Sequence, residues 1–183
     1  MKPKILDTQE IYSGFFDLRQ DLLENADGLT LSFTSLHMPS SVVVLAQTPN
    51  GLWILNREYR HPTGEVLLGP PGGRIDEGED PLTAAKRELH EETGYYAEEL
   101  QILGSCHPFP GICSQKIYYI LAKNAEKKGE QKLEPFEFIE VELKTDAELL
   151  SEMQTSSRVD GNLCTALWYL HKNKEKDGIL PCQ

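Results

Sequence analysis

The sequence predicts an α/β fold, in which a mixed sheet carries helices on its faces as an α/β/α sandwich. Two observations indicate this fold. Short, strand-like apolar segments lie both before and after a strongly helical segment over 82–93, and two further helical patterns follow, over 145–153 and 160–172. A chain that combines strands and helices in this way buries the apolar faces of its helices against a sheet.

The strand patterns begin in the N-terminal part of the chain. Residues 5–37 contain two or three short strands, and over 29–36 apolar residues alternate with Ser and Thr, as is typical of a half-buried strand. The continuous apolar run over 42–46 is typical of a buried strand. Residues 48–51 then predict a hairpin turn that leads into a returning strand over 52–55.

The helix over 82–93 has its own start and stop signals. Asp80 suits the N-cap, and Pro81 suits the first helical position. Residues 82–93 contain good helix formers without Gly or Pro, and Gly94 suits the C-terminal end. The sequence therefore predicts both ends of this helix.

Acidic residues are concentrated on one side of this helix. Glu88 and Glu92 are four residues apart and are therefore neighbours, with Glu91 beside them. Arg87 lies four residues before Glu91, so it can orient that carboxylate. Because clustered carboxylates repel one another, they favour a cation, and oxygen ligands favour a hard cation such as Mg²⁺ or Mn²⁺. The alternative for such a run of charges is a solvated helix face.

The remaining elements follow toward the C-terminal end. We predict strands over 100–105, 116–122 and 136–143, and helices over 145–153 and 160–172. Thr145 and Glu148 have the spacing of a capping box, which supports the first of these helices. Residues 124–132 are charged and predict a solvated loop, and its Gly-containing part over 127–130 is typical of a mobile segment.

Length and charge restrict the possible functions. The 183 residues predict about one domain with a sizeable core. The chain has 18 Lys and Arg against 29 Asp and Glu, a net charge of −11, and this balance argues against nucleic acid as a partner. It is compatible with a small anionic substrate if metal ions and local arginines offset the negative field.

The cysteines and the apolar runs indicate the compartment. The four cysteines are Cys106, Cys113, Cys164 and Cys182, and no CxxC pair occurs among them, which argues against a zinc site. Reduced thiols of a cytoplasmic protein are the simplest explanation. Because no apolar run approaches the length of a membrane span, we expect a soluble protein without a membrane partner.

The segment from Gly73 to Tyr95 contains the most informative spacing. It reads Gly73, five residues, Glu79, seven residues, Arg87-Glu88-Leu89, one residue, Glu91-Glu92, one residue, Gly94-Tyr95. Every fixed position of the Nudix box is present at its spacing, so the chain resembles the Nudix hydrolases. The resemblance implies the same fold, with a Nudix domain over 41–183 that contains the box over 73–95. It also implies a short N-terminal antiparallel β subdomain over 1–40 that mediates dimerisation.

Aromatic residues of the N-terminal strands agree with a homodimer. Tyr12, Phe15, Phe16 and Phe33 are better explained by pairing with a second sheet than by covering one small domain. The alternative is that they complete the sheet of a monomer.

Other segments resemble the ADP-ribose pyrophosphatase branch of the family. Pro110 lies sixteen residues after Gly94, a spacing associated with this branch. The segment over 57–62 resembles the sequence before the box in this branch, and the segment over 137–140 resembles its later loop. The resemblance implies hydrolysis of the diphosphate bond of nucleoside diphosphate sugars, ADP-ribose included, to a nucleoside monophosphate and a sugar phosphate.

Two positions depart from the pattern of this branch. Gly69 replaces the glutamate that usually enters the box, and Gln115 stands where an acidic residue often follows the Pro-Gly loop. These departures favour a wider specificity for nucleoside diphosphate sugars.

The resemblance also implies roles for individual residues. The expected metal ligands are Glu88, Glu92, Glu91 and the carbonyl of Gly72. The expected catalytic residues are Glu137, Glu134, Glu91 and Arg87, and one of these glutamates takes a proton from the attacking water. The expected substrate-binding residues are Tyr59, Arg60, Arg74, Pro110 and Gly111.

Three alternatives to this function are open. The chain could hydrolyse NADH or nucleoside triphosphates, or it could be a non-catalytic Nudix module that senses a nucleotide. Pro108, Phe109 and Pro110 match part of the NADH pyrophosphatase signature, but the rest of that signature is absent. The N-terminal forty residues argue against a nucleoside triphosphate substrate. Nudix sensors commonly lose box glutamates, whereas this chain keeps all of them.

Overall fold

The structure is a computed structural model, and it describes residues 2–176. Its strands are β1 (Lys4–Tyr12), β2 (Asp17–Glu24), β3 (Thr30–His37), β4 (Ser41–Gln47), β5 (Trp53–Arg60), β6 (Glu65–Gly69), β7 (Tyr95–Tyr96), β8 (Glu99–Cys106), β9 (Ile117–Lys123), β10 (Glu126–Lys127) and β11 (Ile139–Lys144). Its helices are α1 (Pro81–Thr93), α2 (Asp146–Thr155) and α3 (Gly161–Lys176). Cys182, like the C-terminal end of the predicted Nudix domain, lies outside the described residues.

The chain divides into two compact units. The smaller unit combines the residues up to Ser40 with the segment Cys106–Ile117. It contains an antiparallel three-stranded sheet in the order β1-β2-β3. The later segment is attached to β3, because the Leu36 N–H donates to Ile112 O (2.8 Å) and the Ser114 N–H donates to Leu36 O (2.9 Å). The larger unit contains Ser41–Ser105 and the chain from Tyr118 onward.

A six-stranded sheet forms the centre of the larger unit. Its order is β11-β5-β4-β9-β8, and β6 pairs with β5. On one face of β4, Val42, Val44 and Ala46 cluster with Ala84, Ala85 and Leu89 of α1. The alternate residues Val43 and Leu45 are buried on the opposite face of the strand, and α3 also contacts β4. The predicted α/β/α sandwich with a mixed sheet and N-terminal antiparallel strands is confirmed.

The predicted ends of α1 are also confirmed. The Asp80 side chain accepts hydrogen bonds from the N–H groups of Leu82 (2.9 Å) and Thr83 (3.2 Å), as an N-cap residue does. At the other end, Gly94 has a φ of 71° and its N–H donates to His90 O at 2.7 Å. These local signals fix where the acidic face of the helix begins and ends.

The region between β9 and α2 differs from its prediction in two respects. The predicted solvated loop over 124–132 contains the short strand β10, which pairs with β7. The predicted strand over 136–143 begins at Ile139, because residues 134–137 form a turn in which the Glu137 N–H donates to Glu134 O at 3.1 Å. No helix between residues 2 and 176 has the length and apolar character needed to span a membrane.

An ion-pair network joins β5, β11 and α2. Arg57 pairs with Glu142 (Nε to Oε1, 2.7 Å) and with Glu152, while Lys144 pairs with the same two carboxylates (Nζ to Oε2, 3.0 and 2.9 Å). Although burial raises the pKa of each glutamate, hydrogen bonds from Arg57 and Lys144 outweigh it and lower both pKa values. The network therefore stabilises the fold while these carboxylates are ionised.

We predict that this network loses its contribution in acid. Both folded pKa values lie below the unfolded value of about 4.3, so the stabilisation is present above that pH and is lost as pH falls through the folded pKa values. Glu152→Gln should lower the free energy of unfolding by about 1 kcal/mol at pH 6, and the difference from wild type should shrink toward pH 3. Urea denaturation across this range measures it, with the exposed Glu140→Gln as control. A difference independent of pH would contradict the prediction.

Candidate active site

The chain enters the site through two glycines that follow β6. The Val42 N–H donates to Gly73 O at 2.9 Å, which places this segment beside β4. A Cβ atom at Gly72 would lie 2.2 Å from Val42 O, and one at Gly73 would lie 2.4 Å from Glu88 Oε1. Only glycine allows the backbone to approach both the strand and the α1 carboxylate so closely.

Glu92 is the most deeply buried acidic side chain of the site. The residue is 5% exposed, and its Oε2 atom accepts hydrogen bonds from the Gly72 N–H (2.9 Å) and from Asn56 Nδ2 (2.7 Å). Burial raises the pKa of Glu92 well above its ordinary value, the Gly72 hydrogen bond opposes the shift, and repulsion from Glu88, Glu58 and Glu137 adds to it. A nearby cation would therefore stabilise the ionised form of Glu92.

Glu88 and Glu58 belong to the same cluster. Burial raises the pKa of Glu88, the Arg87 hydrogen bond opposes the shift, and Glu137 adds to it by repulsion. Burial likewise raises the pKa of Glu58, with Arg60 opposing the shift and Glu137 adding to it. Repulsion from Glu137 thus contributes to the raised pKa of all three carboxylates.

Arg87 organises the edge of this cluster. Its guanidinium donates to both oxygens of Glu79 (3.1 and 2.9 Å), to Glu88 Oε1 (2.8 Å) and to Glu91 Oε2 (3.2 Å). The Glu79 hydrogen bonds contribute most to raising the pKa of Arg87 above its ordinary value. Arg87 therefore orients three carboxylates of the box, whereas the sequence predicts contact with Glu91 alone. Glu91 itself is the most exposed of them, with 41% of its side chain accessible.

The loop that carries Glu134 and Glu137 is attached to the end of α1. The Lys132 N–H donates to Glu91 O at 2.7 Å, and Gln131 Nε2 donates to Glu92 O at 2.6 Å. Within the turn, Glu137 Oε2 accepts a hydrogen bond from the Glu134 N–H at 2.8 Å. Residues 131 and 132 are therefore hydrogen-bonded to the end of α1, and Glu137 follows them in the same loop.

Arg60 lies between two acidic groups at the end of β5. Its Nη1 donates to Glu58 Oε1 at 2.5 Å, and its Nη2 lies 3.7 Å from Asp160 Oδ2. Asp160 packs over Gly69, where an added Cβ atom would lie 3.0 Å from Asp160 Cβ. The Asp160 N–H also donates to Leu68 O at 2.8 Å. Asp160 therefore fills the space beside Gly69, the position at which the ADP-ribose pyrophosphatase branch usually has a glutamate.

The other predicted substrate-binding residues have separate surroundings. Tyr59 is 39% exposed, and its ring centroid lies 6.2 Å from that of His61. The Arg74 carbonyl accepts a hydrogen bond from Arg87 at 2.9 Å. Pro110 and Gly111 belong to the smaller unit, in a turn in which the Ile112 N–H donates to Phe109 O at 3.0 Å.

Three residues of the site were not predicted from the sequence: Asn56, Glu58 and Asp160. Successive side chains of a strand point to opposite faces, so Asn56, Glu58 and Arg60 share one face of β5. Once Arg60 is a candidate site residue, this alternation identifies Asn56 and Glu58 from the sequence as further candidates. Nothing local in the sequence connects Asp160 with this strand.

The donor set fits a hard divalent cation. Among residues 2–176, no three His, Cys, Asp or Glu side chains are close enough to one another to hold a metal ion by themselves. Mg²⁺ usually takes one or two carboxylates and completes its shell with waters and substrate phosphates. Glu88 and Glu92 supply two such carboxylates, four residues apart on α1.

Comparisons with known proteins identify the family. The family model described as NUDIX domain matches residues 36–159. The methanol dehydrogenase activator of Bacillus methanolicus is 32% identical over 170 residues, which cover 91% of each chain. The ADP-ribose pyrophosphatase of Bacillus subtilis (strain 168) is 29% identical over 172 residues, which cover 93% of each chain.

A solved structure agrees with the fold. The crystal structure of an ADP compounds hydrolase superposes with a TM-score of 0.85 at 24% identity and covers 98% of both chains. Nudix hydrolases generally use divalent metal ions, which matches the chemistry of the donor set. The chain belongs to the NUDIX domain family, and its predicted resemblance to the ADP-ribose pyrophosphatases of that family is confirmed.

Proposed function

We propose that this chain hydrolyses the diphosphate bond of nucleoside diphosphate sugars, ADP-ribose among them, with Mg²⁺ as its cofactor. The enzyme class, a Nudix pyrophosphohydrolase, follows from the family and from the ADP-ribose pyrophosphatase among its relatives. The observation that supports hydrolysis of a diphosphate is the group of carboxylates formed by Glu58, Glu88, Glu92 and Glu137 with Arg60 at its edge. Such a group offers both cation ligands and a cationic contact for a diphosphate.

Each part of the site has a role in this reaction. The Arg60 guanidinium binds diphosphate oxygens, a contact that suits its planar set of donors. Glu88, Glu92 and the Gly72 carbonyl would hold the cation, which when bound neutralises the diphosphate and lowers the pKa of a coordinated water. Arg87 keeps the carboxylates of Glu88 and Glu91 oriented toward one side of α1.

Glu137 acts as the general base. It takes a proton from the attacking water, whose oxygen forms a bond to one phosphorus. The bond between that phosphorus and the bridging oxygen then breaks, and the leaving phosphate keeps the electron pair. The products are a nucleoside monophosphate and a sugar phosphate, which for ADP-ribose are AMP and ribose 5-phosphate.

A second candidate function is activation of a dehydrogenase. The observation that favours it is the relative from Bacillus methanolicus, a methanol dehydrogenase activator that matches 91% of this chain. The two candidates require different measurements, because activation is read from the rate of a second enzyme. NAD(H) contains the same diphosphate linkage as ADP-ribose, so a hydrolase of this kind has a possible substrate in a dehydrogenase cofactor.

A substrate panel tests the proposed function. Purified chain with Mg²⁺ is assayed against ADP-ribose, nucleotide sugars, NADH, dinucleoside polyphosphates and nucleoside triphosphates, with released phosphate measured after phosphatase treatment. We expect the highest kcat/KM among ADP-ribose and the nucleotide sugars. Preference for NADH or triphosphates would replace the proposed substrate. Turnover of no compound, together with stimulation of a methanol dehydrogenase, would favour the second candidate.

We further propose a homodimer built on the N-terminal strands. Every residue of β1 is exposed, and large apolar side chains of this sheet are exposed, including Ile11 (48%) and Leu31 (62%), as is Phe15 (66%) in the connection between β1 and β2. Several large apolar side chains exposed on one small sheet and its connection agree with a protein interface. A cytoplasmic location stays a prediction from the sequence.

The homodimer is expected to show a mass of twice 20.7 kDa in light scattering at micromolar concentration. Phe15→Asp combined with Leu31→Asp should shift the mass to one chain, because charges in an apolar interface are costly to desolvate. Asp7→Ser, an exposed polar change on the same sheet, is the matched control. A wild-type mass of one chain would contradict the proposal.

A further inference from the structure

Asn56 is a buried amide within a strand whose preceding residues are apolar. It is 1% exposed and follows Trp53, Ile54 and Leu55 on β5, all of which are buried. Burying an amide costs free energy unless its polar atoms are hydrogen-bonded. An apolar residue at position 56 would avoid this cost, so the presence of an amide there has to be explained.

One end of the amide contacts Glu92. Asn56 Nδ2 donates to Glu92 Oε2 at 2.7 Å, and the Gly72 N–H donates to the same oxygen at 2.9 Å. Two donors from different segments fix the rotation of the carboxylate about its last bond. Neither of them uses the other oxygen, Oε1.

The other end of the amide has no such contact. Asn56 Oδ1 is buried, and no donor within residues 2–176 reaches it. A leucine of similar size would remove that unpaired acceptor, but it would also remove the Nδ2 donor and leave Glu92 Oε2 with the hydrogen bond from the Gly72 N–H. What an apolar residue cannot supply is the hydrogen bond to Glu92.

We propose that Asn56 is a positioning residue that holds Glu92 in the orientation required to bind a divalent cation through Oε1. The inference rests on the proposed function, in which Glu92 is a ligand of the cation. Residues that hydrogen-bond to metal ligands typically change metal affinity by about 10–100-fold when they are removed. Asn56 contacts Glu92 and not the substrate, so its effect should appear in metal binding before it appears in turnover.

The test compares Asn56→Leu with wild type in two measurements. Binding of Mn²⁺ alone is followed by the electron paramagnetic resonance signal of the free ion, and thermal unfolding is followed in EDTA. We expect the Mn²⁺ dissociation constant to rise about tenfold or more, while the metal-free unfolding temperature changes little, because removal of the unpaired acceptor offsets loss of the donor to Glu92. Added Mn²⁺ should restore most of kcat. Asn56→Val, which suits a strand, carries the same expectation if the leucine variant does not fold.

Thr93→Val is the matched control. Thr93 directly follows Glu92 in the chain and is also buried. Its hydroxyl donates to Leu89 O within α1. This variant should unfold at a lower temperature and bind Mn²⁺ as wild type does. If Asn56→Leu or Asn56→Val behaves like this control, the amide has a structural role and the inference is overturned.

The outcomes also separate the inference from the proposed function. Wild type that binds Mn²⁺, with weaker binding in Asn56→Leu, supports the inference even if the substrate panel rejects nucleoside diphosphate sugars. Wild type that hydrolyses those sugars, with unchanged Mn²⁺ affinity in Asn56→Leu, overturns the inference alone. Wild type that binds no Mn²⁺ overturns both.

Discussion

Glu92→Gln is expected to lower kcat by about three orders of magnitude while the fold stays intact. The substitution keeps the side-chain volume and removes the charge that would bind the cation, and a bound cation contributes several kcal/mol to charge stabilisation, with about 1.4 kcal/mol for each factor of ten in rate. The raised pKa of Glu92 also predicts the sign of the stability change. Because the ionised form is disfavoured in the folded protein, the metal-free variant should be at least as stable as wild type at neutral pH.

Steady-state kinetics at saturating Mg²⁺ and thermal unfolding in EDTA together check this expectation. Glu77→Gln is the control, since Glu77 lies inside the box segment but is exposed. Near-normal turnover of Glu92→Gln would show that Glu92 is not a metal ligand. Loss of turnover that accompanies unfolding would show a structural role instead.

Glu137→Gln is expected to lower kcat by about 10²–10⁴-fold and to change KM little. General bases contribute rate enhancements of this size, and a group that acts mainly in the transition state leaves ground-state binding unchanged. Repulsion from Glu137 contributes to the raised pKa values of Glu58, Glu88 and Glu92, which agrees with a role for this carboxylate at the site.

Glu134→Gln is the matched control for this experiment. It lies in the same turn, and its backbone N–H donates to Glu137 at 2.8 Å. We expect this variant to keep most of its activity. If both single variants and the double variant have wild-type kcat, the loop has no catalytic role, and the base belongs to the glutamates of α1 or to Glu79.

The sequence predicted the parts of the site that depend on local spacing. The ends of α1 follow from Asp80 and Gly94, and the helical period of about 3.6 residues places Glu88 and Glu92 on one side. Both features arise within a few residues of the chain, where backbone geometry alone decides the outcome. The Gly72-Gly73 segment was recognised by its family pattern, and its physical reason is the close approach to Val42 and Glu88.

The parts that were missed depend on contacts between distant segments. Strand alternation places Glu58 and Asn56 on one face of β5, but it does not say that α1 covers that face with Glu92. The segment Cys106–Ile117 joins the N-terminal strands through hydrogen bonds of Ile112 and Ser114 to Leu36, which lies far earlier in the chain. Such pairings follow from the whole arrangement of the sheet and leave no periodic signal in the segments themselves.

The contact between Asp160 and Gly69 makes these two positions interdependent. A glutamate at residue 69 would have its Cβ atom 3.0 Å from that of Asp160, so Gly69→Glu requires the aspartate, which lies 3.7 Å from Arg60 Nη2, to shift by a few tenths of an ångström. The reciprocal change, Asp160→Gly, frees the same space but leaves Arg60 with one acidic neighbour fewer. Because the two positions are in contact, the effects of the two substitutions on stability are expected to be non-additive. Sequence changes at residue 69 are therefore best interpreted together with the residue that stands at 160.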